Sequence, residues 1–432
     1  MVDIREPINE IQSNFVFAND STAQSAVTGL YSSMLQLSPF LMNAGMTIYA
    51  GLAADELKPN TVSSEYDPFL NNAIPANHGT LSTRFWQVAY TNIYQANTVL
   101  EGLNSSNTLT ESLKKQLTGE VKFLRSFYYF SLVNLFGDVP LLLSSDYRVN
   151  AVSPRTPTSE IYQQLVTDLA EAKTLLLPGY PTAGRVRPNK WTAAALLARI
   201  YLYLQDWARA EQESSEIINS SVYSLVPNLN NVFVLSTNEA IWQLMPTSAT
   251  SNTGEGAIFI PFAATSVPQL SLTTSLFNAF ESGDQRKVNW VKTATVNSVN
   301  YTYPFKYKIR SGTTGEYYVV FRMAEQYLIR AEARARQHNL VAAKSDINMI
   351  RSRAGLANNS SPDEASLLLA IEQERRIELF AEWGHRWLDL KRTGRAGPVL
   401  GVKPGWSADD QLFPIPQSEL DKNPFLVQNP GY

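Results

Sequence analysis

The chain has 432 residues, 44% of them hydrophobic and 11% aromatic, which is enough to bury a large core and too apolar for a disordered chain. Lys plus Arg number 36 against 39 Asp plus Glu, a net charge of -3, so no long-range positive field recruits nucleic acid. With no cysteine, disulfides, thiolate metal sites and cysteine nucleophiles are excluded, and His78, His338 and His385 are too scattered for an HExxH-type pair.

Asn19, Asp20 and Ser21 offer N-caps, and Ala26, Leu30, Met34 and Leu37 follow near helical spacing, which predicts a first helix from about residue 21. Residues 56–80 carry Pro59, Pro68, Pro75 and Gly79 among several Asn and Ser, and read as a long surface loop of the kind that often holds function. Trp86, Ala89, Ile93, Ala96 and Leu100 then share one helical face. Residues 112–135 repeat the pattern until Gly137, Asp138 and Pro140 stop it. Further helices are predicted over 159–176, 191–204, 207–218, 320–337, 340–354 and 362–381, several of them paired through tight turns.

Two of those pairs align at an offset of 133: ARIYLYLQDWARAEQESSEII and AEARARQHNLVAAKSDINMI. Ala198 matches Ala331, Ala210 matches Ala343, and Ile217 matches Ile350. Small alanines let antiparallel helices approach closely while the aliphatic packs on the next hairpin, as in a tetratricopeptide-like array. Between the pairs, roughly 223–318, the texture turns to Gly, Ser, Thr, Asn, Pro and aromatics, with short alternating runs such as AIWQL and YTYPFKYKI. The expected fold is therefore mainly α and a single domain over residues 1–432. Its helical-hairpin array is drawn mainly from about 21–37, 81–218 and 320–392, with an irregular, loop-rich portion at about 40–80 and 223–318.

Four blocks carry a family likeness. FLRSFYYFSLVNLFGDVPLLL at 123–143, FRMAEQYLIRAEAR at 321–334, IEQERRIELFAEWGHRWLDLKR at 371–392 and the ending PIPQSELDKNPFLVQNPGY, taken in that order, resemble the SusD/RagB family of outer-membrane nutrient-uptake lipoproteins. One departure is Trp383 between Glu382 and Gly384, where many relatives run directly from Glu to Gly. The resemblance implies a surface-exposed protein that captures oligo- or polysaccharide and delivers it to a SusC-like TonB-dependent transporter. It implies the helical array on the transporter side and sugar on the opposite, irregular side. It also implies a lipid anchor on a cysteine upstream of this sequence, whose own start, MVDIREPINEIQ, has no apolar signal region.

The densest charged constellation is Glu374, Arg375, Arg376, Glu378, Glu382, His385, Arg386 and Asp389. Two carboxylates beside a histidine fit acid–base catalysis, but a catalytic acid needs a raised pKa and neighbouring arginines lower it. Structural ion pairing, with Arg375 and Arg386 as counter-charges to Glu374 and Glu378, is the favoured reading, and no catalytic residue, metal ligand or cofactor is assigned. His385 and Asp389 lack a third ligand, and Gly137 is a helix cap.

A sugar site needs flat aromatic faces for pyranose rings and amides or carboxylates for their hydroxyls. Trp86, Tyr90, Tyr128, Trp191 and Tyr201 lie in periodic helices and read as core. The loop aromatics and their polar neighbours are the expected ligand-binding residues: Glu65, Tyr66, Phe69 and Asn72 in one loop, and Trp290, Tyr301 and Tyr303 in another. A glycoside hydrolase on a helical scaffold, or a binder of a peptide nutrient, stands as the alternative.

Overall fold

The computed structural model describes residues 16–35 and 38–432. Helix α1 (Asp20–Met34) starts where the Asn19 side chain accepts from the Thr22 N–H at 3.1 Å, and it buries Ala23, Val27, Leu30 and Met34. Leu37, expected on the same helix, lies outside the described residues.

Helix α2 (Gly45–Ala53) corrects the expectation of irregular chain from about 40. Every one of its residues is buried, so GMTIYAGLA is apolar all round and offers no polar stripe for a period to show. The 56–80 stretch is likewise less open than its prolines suggest. It contains strand β1 (Leu57–Pro59) and a helical turn, Asp67–Leu70, whose Phe69 enters the core.

A π-helical turn, Leu81–Trp86, runs into α3 (Gln87–Ser105), followed by α4 (Glu111–Phe136), α5 (Thr158–Leu175), α6 (Lys190–Tyr203) and α7 (Trp207–Asn219). Gly137 caps α4 at φ 73°, its N–H donating to the Val133 carbonyl at 3.0 Å. The irregular portion supplies β2 (Ala240–Leu244), β3 (Leu270–Leu272), β4 (Val291–Val296), β5 (Val299–Pro304) and β6 (Tyr318–Arg322). They form three two-stranded antiparallel sheets, β1 with β3, β2 with β6 and β4 with β5. Then come α8 (Met323–Arg336), α9 (Leu340–Arg353), α10 (Glu364–Glu378) and α11 (His385–Arg392). A helix from residue 320 was expected; instead Tyr318–Arg322, rich in aromatic and β-branched residues, stays extended to pair with β2, and α8 begins at Met323.

Each helix from α3 to α9 packs on the next, and α10 packs on α8 and α9. The contact between α7 and α8 closes the array across the irregular portion, which loops out without breaking the stack. The repeat goes deeper than its alanines. Ala198, Ala331, Ala210, Ala343, Ile217 and Ile350 are all fully buried. In the turns, Gln205 and His338 adopt φ of 58° and 61° at the same offset of 133. The next residues, Asp206 and Asn339, cap the following helices by accepting from the Arg209 and Ala342 N–H groups at 3.1 and 3.3 Å.

Two buried acids in the irregular half set a pH dependence. Burial pushes the Glu255 carboxyl up to about 7 against the pull of its bonds to Tyr318 and Thr47, and burial with Asp55 nearby pushes Glu56 up to about 8. Each keeps one oxygen without a partner, Glu255 Oε2 and Glu56 Oε1. Both values lie above the ordinary 4.5, so the stability these groups contribute is full below that pH and is lost as pH rises through about 7 and 8. The urea midpoint of Glu255→Gln should fall less between pH 5 and 8 than that of the wild type; parallel curves would remove Glu255 from the account.

Candidate functional site

The charged constellation near the C-terminus is structural. Glu374 pairs with Arg286 at 2.5 Å and Arg351 at 3.2 Å, and Glu378 pairs with Arg322 at 2.5 Å, Arg286 at 3.1 Å and Arg353. Glu382 meets Arg322 at 2.8 Å and Lys306. The counter-charges are thus not those expected: Arg375 pairs with Asp389 at 2.8 Å, and Arg386 with Asp55 at 2.7 Å. Burial, with Arg199 and Arg375 close by, holds His385 well below the usual histidine range and therefore neutral. Asp284 also pairs with Arg286, at 2.8 Å. Glu374, Glu378, Glu382, His385, Asp389, Arg286, Arg322, Arg375 and Arg386 are buried, with Arg351, Arg353 and Asp55 partly buried at the margin, so the carboxylates at the centre are not presented to a substrate.

The expected ligand residues divide by exposure. Trp290 is fully buried, with its Nε1 donating to the Leu229 carbonyl at 2.9 Å and Phe233 at 5.7 Å between centroids. Tyr303 is buried on β5, and Tyr301 is half-buried two residues earlier. Phe69 is fully buried against Tyr49 at 4.7 Å and Phe413 at 5.4 Å. Asn72 is also buried, donating to the Ala53 carbonyl at 3.1 Å and accepting from Lys403 at 3.0 Å. Trp290, Tyr303, Phe69 and Asn72 therefore present no open face, because these loops fold back into the core. Among the described residues no ring contact joins the first group to the second.

Glu65 and Tyr66 are partly exposed, as Tyr301 is, and come with an unforeseen partner. Arg84, from the π-helical turn, approaches Glu65 at 2.5 Å, with side-chain exposures of 27% and 35%. Tyr49 on α2 donates to the same carboxylate oxygen, accepts from Arg84 at 2.6 Å, and backs the Tyr66 ring at 6.0 Å. Glu65 Oε2 and the Tyr66 hydroxyl have no partner among the described residues. Burial, with Glu65 beside it, pushes the Tyr66 hydroxyl up to about 12, so it stays a neutral donor. The turn beneath is fixed by the Ser63 N–H donating to Asp67 at 3.0 Å and by His78, whose Nδ1 accepts from the Thr80 N–H and whose Nε2 donates to the Ser64 carbonyl at 3.2 Å.

This loop is tied to the irregular portion. Asn60 donates from its side chain to the Pro268 carbonyl at 2.7 Å and to Ser271 at 2.8 Å, next to the β1–β3 pairing. Each tied loop carries an apolar side chain almost wholly in solvent, Val62 at 96% exposure and Phe262 at 84%, with the Arg310 guanidinium 5.7 Å from the Phe262 ring. Phe262 was missed in the sequence; the available signal was a large apolar residue in a Gly-, Ser- and Thr-rich stretch without periodic partners. Arg84 was missed because it sits in a segment read only as helix.

Residues 52–202 match a family model described as starch-binding and associating with the outer membrane, and residues 271–432 match the SusD family model. The chain belongs to the SusD/RagB family. A SusD-like protein of Formosa agariphila is 26% identical over 100% of this chain and 96% of its own. A SusD superfamily structure from Bacteroides vulgatus superposes with a TM-score of 0.85 at 22% identity, covering 96% of this chain and 100% of that one. A laminarin-binding SusD-like protein gives a TM-score of 0.81 at 24% identity, covering 96% and 100%. Against that family pattern Trp383, the unusual residue before Gly384, leaves the Glu382 pairing intact. It adopts φ 48°, stacks on Tyr318 at 4.5 Å and donates to the Val319 carbonyl at 2.8 Å. Among the described residues, no helix of this SusD-family chain is long and apolar enough to cross a membrane.

Proposed function

We propose that this SusD-family protein binds a glycan on its loop-rich face, at Tyr66, Glu65 and Arg84, and delivers it to a SusC-like TonB-dependent transporter while lipid-anchored on the outer face of the outer membrane. The observation that carries the sugar site is the half-open Tyr66 ring beside a carboxylate and a guanidinium that each keep unused hydrogen-bonding atoms. A pyranose stacks its apolar face on the ring, gives hydroxyl protons to Glu65 Oε2 and accepts from Arg84. Val62, in the same loop, and Phe262, in the loop tied to it, offer exposed apolar side chains for further rings of a chain. The laminarin-binding neighbour and the starch-binding description of the family support glycan as cargo. Binding without bond cleavage is supported by the fate of the carboxylates: the densest group is buried against arginines, while Glu65 is held in an ion pair with Arg84.

Tyr66→Ala should weaken retention in affinity gels containing laminarin, starch or other polysaccharides by roughly five- to tenfold, the loss of about 1 kcal/mol from a stacked ring. Its melting curve should stay cooperative. Unchanged retention on every glycan that holds the wild type would remove Tyr66 from the site. Release of reducing ends by the wild type would turn the reading towards a hydrolase, and no retention by any glycan towards a peptide.

A further inference from the structure

On the opposite side of the Leu81–Trp86 turn lies a cleft of about 510 Å³, bounded by the start of α3, the chain after α4 and the C-terminal segment near Glu419. Arg84 serves the Tyr66 cluster, while Trp86 and Gln87, just beyond it, line this cleft. Its volume falls in the range of about 300–1,000 Å³ usual for small-molecule sites. Four rings give it character: Trp86, held edge-on against Phe136 at 5.2 Å, Tyr90, whose hydroxyl donates to the Pro140 carbonyl at 2.8 Å, and Tyr94 and Tyr147, 49% and 74% exposed.

The polar groups of the cleft identify what it takes. Trp86, which lines the cleft, is only 4% exposed, and its indole N–H has no acceptor among the described residues. The Thr91, Tyr94 and Tyr147 hydroxyls, Asn150 Oδ1 and Glu419 Oε2 also have no protein partner among the described residues, although Asn150 Nδ2 is fixed to the Ser144 carbonyl at 2.8 Å. An acyl chain or apolar side chain laid here would cover the rings and strand these donors and acceptors, at about 1–3 kcal/mol for each one left unpaired. A pyranose has flat apolar faces for the tyrosines and a rim of hydroxyls for the unpaired groups, and satisfies both.

We propose that this cleft is a second carbohydrate subsite, separate from the Tyr66 cluster. The inference rests on the glycan reading above and adds to it: two sites on one protein hold a polysaccharide more tightly than either does, because the second engagement occurs at high effective concentration. Affinity gels containing laminarin, soluble starch and a panel of plant and microbial polysaccharides test it with wild type, Tyr66→Ala, the double variant Tyr94→Ala/Tyr147→Ala, and all three changes combined. Tyr94 and Tyr147 stand in solvent, so melting curves should match the wild type. On a glycan that retains the wild type, the double variant should lose retention by about threefold or more, equivalent to ~0.6 kcal/mol, and the triple variant should lose more than either. Full retention by the double variant alongside a loss in Tyr66→Ala would overturn the cleft and leave the first site standing. Loss in the double variant alone would support the cleft and remove Tyr66; a wild type retained by no glycan overturns both.

Discussion

Glu378→Ala should destabilise the protein by about 3–5 kcal/mol, the typical cost of removing one partner from a buried ion network. Glu378 is fully buried. Burial opposes its charge, but Arg353, Arg322 and Arg286 outweigh that and hold the carboxyl well below the usual range. After truncation each arginine keeps an acid: Arg286 has Asp284 and Glu374, Arg322 has Glu239 and Glu382, and Arg353 has Glu239. The interior nonetheless loses the one carboxylate that three guanidiniums share, which leaves N–H groups without an acceptor and a hole where they met. Glu378→Gln restores the shape and one acceptor, so it should lose less. The folded pKa is depressed, so the contribution of Glu378 is present above the ordinary carboxylate value of 4.5 and is lost as pH falls towards the folded value. The urea-midpoint gap between wild type and Glu378→Ala should therefore be wide at pH 7 and narrow in acid. A gap below about 0.5 kcal/mol at pH 7, within the range of an ordinary surface change, would show that the network repacks around the loss.

The same residues show where sequence reasoning reaches and where it stops. Glu374 and Glu378 are one helical turn apart, so their common face was legible from spacing alone. Their partners were not: Arg286 comes from a short helix before β4, Arg322 from the end of β6 and Arg353 from the end of α9, and only the three-dimensional fold brings them in. Adjacent Arg375 and Arg386 looked sufficient and are committed elsewhere. The array was legible because its alanines recur at a fixed offset, and even the left-handed turn residues Gln205 and His338 obey it. Helix α2 was not, since a helix buried on all sides has no amphipathic period. Glu65 and Tyr66 stay partly exposed, because polar, proline-rich chain does remain at the surface there. Phe69 and Asn72, three and six residues beyond Tyr66, share that composition and dive into the core, a difference that residue type does not encode.

Trp290 makes the distinction measurable, because its place in the Gly-, Ser-, Thr- and Asn-rich portion suggested an open platform while the fold closes the ring in. The indole meets Lys306 Nζ at 4.7 Å, Phe233 at 5.7 Å and the Arg322 guanidinium at 5.8 Å. Trp290→Ala should cost about 3–5 kcal/mol through the cavity it leaves, with a further loss because the Leu229 carbonyl forfeits its donor and the buried cations lose an aromatic face. The signature is a lowered urea midpoint and melting temperature, with glycan retention per folded molecule unchanged below the transition. Tyr66→Ala should give the reverse, weakened retention at nearly constant stability. A Trp290→Ala protein that melts like the wild type yet no longer binds glycan would place that ring on the ligand and contradict its burial. A variant that unfolds early but binds while folded ties the tryptophan to the ion network under the loop face, and leaves capture to the open residues above it.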